Sequence, residues 1–351
     1  MGISYTTETL NKLVQPFAMS KSVLDGALST DYKFTGAKTV EVVTAVSQPL
    51  NDYKREGANR YGDPQELQDT VQELTLGQDK GWSMTIDQGN FKDQKHLKKT
   101  QAAIKMQQVE QVIPEYDRNG LYVLSHKAGN IVKATAALEK TNICDRIMEA
   151  NAVLTDHEVP TDGRTLYIDS KGMKTLKLSE EFTKIEKIGY KSVKFGLVGT
   201  FDGMQVREVP KSRWPKGVNF IIVHKNSATA PKKIHEVNCH NNPPGISGTL
   251  IEGRDYYDAF VLGARCNGVY AEIASTETVV AVPTISATTG AVTATGGASV
   301  KYTVDGSDPR YSKTAIVGTS PAGVKAGMKI RAYAFKEGAY DSGVAEAVIT
   351  G

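Results

Sequence analysis

The residues best placed to do chemistry lie in the string KIHEVNCHNNPP, residues 233–244. His235-Glu236 resembles the opening of H-E-x-x-H, in which two imidazoles on one helical face hold zinc and the glutamate acts as base. The second histidine is His240, one position late, so on a helix the two rings would stand about 140° apart. As a strand, Ile234, Glu236 and Asn238 face one way and His235, Val237 and Cys239 the other, with Asn-Asn-Pro-Pro-Gly ending the run. The strand is the better reading, and it leaves no pair of ligands for a metal.

A second candidate is KYTVDGSDPRYSK, residues 301–313, where Asp305, Ser307 and Asp308 put three oxygen-bearing side chains close together. A calcium loop draws six to eight oxygens from a wrapped segment and needs a later bidentate glutamate. Here Pro309 follows Asp308, and the next acidic residue is Glu337. Asp-Gly and Asp-Pro supply the turn chemistry that ends a short strand. Glu180-Glu181 is a carboxylate pair in sequence, but adjacent helical residues point about 100° apart, as an acidic step near a helix start does. Cys144, Cys239 and Cys266 are far apart with no C-x-x-C, against both a disulfide framework and a zinc ribbon. Phosphate-binding glycine loops and the G-x-S-x-G elbow are absent, and Trp82 and Trp214 are few for sugar or base stacking. No catalytic, cofactor-binding or metal-ligating residue is nominated, and no cofactor is expected.

The elements behind these residues are mixed. The chain has 351 residues and a net charge of +3, enough for two or three domains and against one dominant nucleic-acid surface. Residues 171–233 carry fourteen Lys or Arg against five Asp or Glu, a local basic excess. No run is long and apolar enough to span a membrane, and the first residues lack the pattern of a secretion signal, so a protein free of membrane and assembled in a reducing compartment is expected. TVEVVTAV (39–46) alternates as a strand. ELTLGQDKGWSMTID (73–87) has period-two apolar positions on both sides of a glycine-bounded turn and predicts a long hairpin. The following segment predicts a helix with Ala102, Met106, Val109, Ile113 and Tyr116 on one core-facing side, a kink at Pro114 and a stop at Asn119-Gly120. A second helix carries Ile143, Ile147, Ala150 and Leu154 on one face. Strands are predicted at GRTLYIDS and NFIIVHKN, a strand pair turns at Asp202-Gly203, and GMKTLKLSEEFTKI reads as a helix.

Composition changes near residue 276. Nineteen leucines precede that point and none follows; the tail is a series of short Val- and Thr-rich runs between turns, which predicts a small all-β sandwich with a core of its own. The fold class is α+β with an all-β C-terminal unit.

The order of elements, with VLTDHEVPTDGRTLYIDS (153–170), GTFDGMQVREVP (199–210) and EGRDYYDAFVLGARCNGVYAEI (252–273), resembles the tailed-bacteriophage major capsid proteins of the Hong Kong 97-type fold, particularly the branch with an N4-like or P22-like coat protein. The resemblance covers about residues 1–275. It implies an N-terminal arm over 1–48, an extended loop over 49–91, and a capsid core over 92–276 that begins with a spine helix and holds axial and peripheral domains. The tail, 277–351, is similar to the immunoglobulin-like domain at the C-terminus of chitobiase-like enzymes through Tyr302, Thr303, Asp305, Gly306, Ser307 and Pro309, then Arg331 to Ala334, Lys336 and Gly338.

The resemblance implies a non-enzymatic shell protein that forms hexamers and pentamers with copies of itself. It also implies assembly in the bacterial host cytoplasm, with scaffolding, portal and decoration proteins as partners. Packaged double-stranded DNA would be met without sequence specificity by some of Lys92, Lys95, Lys98, Lys99, Lys171, Lys174 and Lys177. On such a shell the tail would face outward and be removable after Ser275. Two other readings compete: a glycoside-acting enzyme, for which no carboxylate pair stands out, and a secreted adhesin, which the cysteine usage disfavours.

Overall fold

The computed structural model describes residues 21–32, 34, 38–45, 50, 52–57, 59–61, 69–88, 100–179 and 197–350. Strand β1 (Thr39–Ala45) pairs antiparallel with β2 (Asp69–Thr75) as an isolated two-stranded ribbon. Its apolar cover is at the root: Leu74 and Leu76 are fully buried, with Val40 and Val42 packed beside them against Phe34, Tyr256 and Leu262. Strand β3 (Gln78–Asp87) begins two residues after β2 ends, yet it joins a different sheet as the outer partner of β11 (Gly248–Tyr257), which in turn pairs with β10 (Lys232–Asn241). The hairpin expected over 73–87 is therefore not formed. Of the expected glycine-bounded turn, Gln78 to Gly81 already belong to β3, each strand finds its partner elsewhere, and Asp258 holds the crossing by accepting from the Gly77 amide at 2.8 Å.

The long helix runs from 100 to 126 in three pieces: α1 (Thr100–Gln107), a π turn (Gln108–Val112) and α2 (Ile113–His126). Pro114 has no amide to give, and just ahead of it the Ile113 N–H reaches back five residues to the Gln108 carbonyl. A wide turn adds about one residue, so it rotates the preceding face by roughly 100°. Ala102, Met106 and Val109 are accordingly out of line with Tyr116 and only half-buried; full burial starts at Tyr116 and continues through Leu121 and Leu124. The expected stop at Asn119-Gly120 is also corrected. Asn119 donates to Asp258 at 3.1 Å, and a Cβ on Gly120 would lie 2.2 Å from Leu24 Cδ1, so this glycine serves close packing inside a continuing helix.

Behind the helix stands a six-stranded mixed sheet in the order β4 (Asn130–Lys133), β13 (Val269–Ile273), β8 (Val218–His224), β5 (Arg164–Asp169), β7 (Met204–Val209), β6 (Leu197–Phe201). The Asp202-Gly203 strand pair is formed as expected, with Asp202 in the left-handed region that its turn requires. Strand residues alternate between two cores. Tyr167, Ile221, Val223, Val269 and Ala271 face α2 and the 23–28 segment. Leu166, Ile168, Phe220, Ile222 and Tyr270 face α3 (Ile143–Asp156) and α4 (Ser170–Lys177). Ile143, Ile147, Ala150 and Leu154 are all buried in that second layer, as their spacing predicts. Because β5 is covered on both sides, all six of its residues are buried.

Charged groups inside this body are held by specific bonds. Arg164 sits beside the last turns of α3, donating to the Pro160 and Asn151 carbonyls at 2.9 and 3.0 Å and to Thr155 Oγ1 at 3.1 Å. Asp117 on α2 accepts from Ser22 Oγ, from the Val23 amide at 3.2 Å and from Arg213 at 2.7 Å, which fastens the 22–24 segment to the helix.

The C-terminal residues form the pair β14 (Thr284–Ile285) and β15 (Val292–Thr293) and a four-stranded sheet, β17 (Ile316–Val317), β16 (Ser299–Thr303), β18 (Lys329–Phe335), β19 (Ala345–Val348). Val292, Val300, Tyr302 and Ala332 make a small core here. The expectation of a fully separate core is nevertheless corrected. Tyr340 belongs to the main core, stacks on His126 with ring centroids 4.4 Å apart and donates to the Lys216 carbonyl at 2.8 Å. A fall in leucine content reports a change of strand type and says nothing about whether the boundary is dry.

Candidate assembly surfaces

The two residues of the abortive zinc motif are not brought together. His235 pairs with Asp255 across the β10–β11 register, and His240 lies 3.4 Å from Glu252. Five strand positions separate the rings, roughly 16 Å along the chain. At the other candidate, Asp305 accepts from the Ser307 amide at 3.0 Å and from Thr314 Oγ1 at 2.6 Å, while Asp308 is taken up by Arg310. The string is a closed turn, as read from its Asp-Gly and Asp-Pro steps. The Cys266 thiol is pushed up to about 12, by burial first and then by the Asp308 charge beside it, which removes its nucleophilic form at neutral pH. Glu180-Glu181 and Lys92, Lys95, Lys98 and Lys99 lie outside the described residues. Among the described residues, no group of three or more His, Cys, Asp or Glu converges as metal ligands would.

What the chain does present is unfinished surface. The ribbon is the first instance. Two strands alone are marginal in water, and among the described residues no third strand joins this pair beyond the root, with Val43 more than half exposed. Its own residues explain how far it can go unaided: seven antiparallel pairs fix register and twist, but only the alternate positions at the root reach apolar cover.

The second instance is α1 with its π turn, where no residue is buried although Ala102, Ile104, Met106, Val109 and Val112 are apolar. The third is α4, started by Asp169 as an N-cap that accepts from the Gly172 amide at 2.7 Å. Its Met173 and Leu176 turn inward while Lys171, Lys174 and Lys177 stay exposed. The sequence predicts a helix here without assigning its faces, and it could not show the half-covered stripe on α1, because the π turn that misaligns it is invisible at residue spacing.

Comparison with known proteins bears on these surfaces. The sequence model of the family described as Fn3 associated matches residues 291–349. No curated protein matches the chain. Among solved structures, the chain is similar to one titled Mycobacterium phage Che8 (17% identity, 77% of this chain and 97% of that one, TM-score 0.57). It is similar also to the mature capsid of bacteriophage PhiM1 (12% identity, 78% and 93%, TM-score 0.58). A third is the capsid of the cyanophage P-SCSP1u (11% identity, 78% and 92%, TM-score 0.59). The fold is thus that of phage capsid shells, the Hong Kong 97 type, joined to small all-β sheets at the C-terminus.

Proposed function

We propose that the chain is the major capsid protein of a tailed bacteriophage, a non-enzymatic subunit that assembles with copies of itself into the head shell of the virion. The observation that carries this reading is the combination of a capsid-shell fold with a two-stranded ribbon whose apolar cover is confined to its root. A monomeric protein gains nothing from such a ribbon, whereas a subunit that lays it over a neighbour supplies the missing cover.

In this reading the shell is icosahedral, built of hexamers and pentamers, and encloses double-stranded DNA. The extended loop, expected over 49–91, is taken instead as the β1–β2 ribbon with the residues between its strands, which draws β1 from the expected 1–48 arm and leaves out β3, and the spine helix is the 100–126 helix. The N4-like or P22-like branch is the finer assignment. Lys171, Lys174 and Lys177 offer a cationic face with which packaged DNA would interact without sequence readout. Residues 277–351 face outward; in support, they hold seven Lys or Arg against six Asp or Glu, too balanced to favour contact with packed phosphate. Scaffolding, portal and decoration proteins complete the set of partners, and assembly takes place in the host cytoplasm.

Electron microscopy of the expressed chain, with and without candidate scaffolding protein from its genome, tests the proposal. Closed shells of uniform diameter are expected. Dispersed monomers under both conditions would refute it. Antibody access to a tag after residue 351 on intact particles tests the outward placement.

A further inference from the structure

The turn at 305–314 does more than reverse a strand. Asp308 and Arg310 form a buried bidentate pair, with Arg310 Nε 3.1 Å from Asp308 Oδ1 and Nη2 2.7 Å from Oδ2. The remaining guanidinium nitrogen, Nη1, donates to the carbonyls of Ala128 and Gly129, both at 2.9 Å, and the Tyr311 hydroxyl donates to the Lys127 carbonyl. These three carbonyls follow the last turn of the long helix, where the backbone dipole favours a cation.

The next two residues reach the ribbon. Ser312 forms an antiparallel bridge with Gln72, and the Lys313 amide donates to the Val71 carbonyl at 3.3 Å. The Lys313 ammonium lies 2.5 Å from Glu73 and 3.3 Å from Glu41. Those two carboxylates are direct cross-strand partners in the β1–β2 register. Like charges directly opposite weaken a strand pair, and among the described residues the ribbon has no third strand to compensate. Residues 310–313 therefore join the end of the long helix to the root of the ribbon, and the cation that relieves the ribbon's own repulsion comes from the C-terminal domain.

We propose that the 308–313 strap is a latch by which the C-terminal domain fixes the direction and stability of the β1–β2 ribbon, with Arg310 and Tyr311 as its anchor and Lys313 as its releasable bolt. The domain then has a role within the subunit that a projecting appendage does not. The inference concerns contacts inside one chain and stands apart from whether that chain forms shells.

Hydrogen–deuterium exchange on the full-length soluble subunit tests it. In Lys313→Glu, which gathers three carboxylates, amides of 39–45 and 69–75 should exchange faster by about tenfold, while 143–156 and 164–169 keep their protection. The charge-reversed double variant Glu73→Lys with Lys313→Glu should recover most of the protection. Lys329→Ala, which removes an ion pair with Glu346 remote from the ribbon, should leave ribbon exchange unchanged. Raising the salt should speed ribbon exchange in the native chain and have less effect in Lys313→Ala, because the bolt is exposed and screened. If Lys313→Glu also loosens the two core segments, Lys313→Ala carries the same comparison. Unchanged ribbon exchange in both Lys313 variants, or an equal effect from Lys329→Ala, would overturn the proposal.

Discussion

His126 is the last residue of the long helix, and its imidazole is sandwiched between Tyr122 of the preceding turn, 3.9 Å away, and Tyr340 of the C-terminal domain. Burial holds its pKa below the ordinary histidine value; Lys127 lowers it further, and only the hydrogen bond to the Tyr122 carbonyl and the Asp341 charge oppose the shift. The sign of the consequence is fixed. As pH falls through about 6.5, unfolded chains take up a proton that the folded ring refuses, so stability declines until the folded ring itself titrates. His224 is shifted the same way by burial, so the comparison must be with a variant. His126→Gln should flatten the melting-temperature slope between pH 6.5 and pH 5 relative to the native chain; equal slopes would show that His126 contributes nothing. None of this was legible in the sequence. The partners of His126, Asp117 and Arg310 lie up to about two hundred positions away, and a lone histidine or a buried aspartate leaves no local pattern. The Asp305–Asp308 turn was legible because its chemistry is settled within a few residues.

At the level of elements, prediction from sequence succeeded where each element was regular and well covered. The α3 face is buried at each of its four expected positions, and β5 and β8 form where strands were expected. It failed where the chain departs from regular geometry or where pairing is a matter of competition. Leu76-Gly77 does join two strands, but spacing cannot tell that β1 and β11 outbid the adjacent pairing. In the long helix, Pro114 was visible as a perturbation; that it would be accommodated by a wide turn was not. The corrected orientation makes a specific prediction. Met106→Asp and Val109→Asp sit on a half-covered face, so each should cost the isolated subunit only about 1 kcal/mol. Leu121→Asp and Leu124→Asp would bury an unpaired charge in the main core and should prevent folding. Thermal unfolding followed by circular dichroism distinguishes the two pairs, and similar melting temperatures across all four variants would show that the helix faces are misassigned.

For the whole molecule, the question is whether residues 276–351 can be lost without harm to the rest. Their strand composition argues for independence, and the contacts argue against it. Removing them takes Tyr340 out of the main core, uncovers the carbonyls of Lys127, Ala128 and Gly129, and leaves Glu41 and Glu73 facing each other without Lys313. Tyr340→Ala alone should cost about 3 kcal/mol, as large-to-small changes of buried aromatics do. Truncation after Ser275 adds the loss of the Arg310 anchor to that. The remaining chain keeps both faces of its six-stranded sheet apart from the Tyr340 edge, so it should still fold, with a melting temperature lower by roughly 10 °C. The ribbon, deprived of its latch, should lose protection first. Calorimetry of the truncated chain beside the native one provides the measurement. A melting temperature within about 2 °C of the native value would mean that the interface at the helix end contributes little and that the C-terminal domain is energetically a separate body.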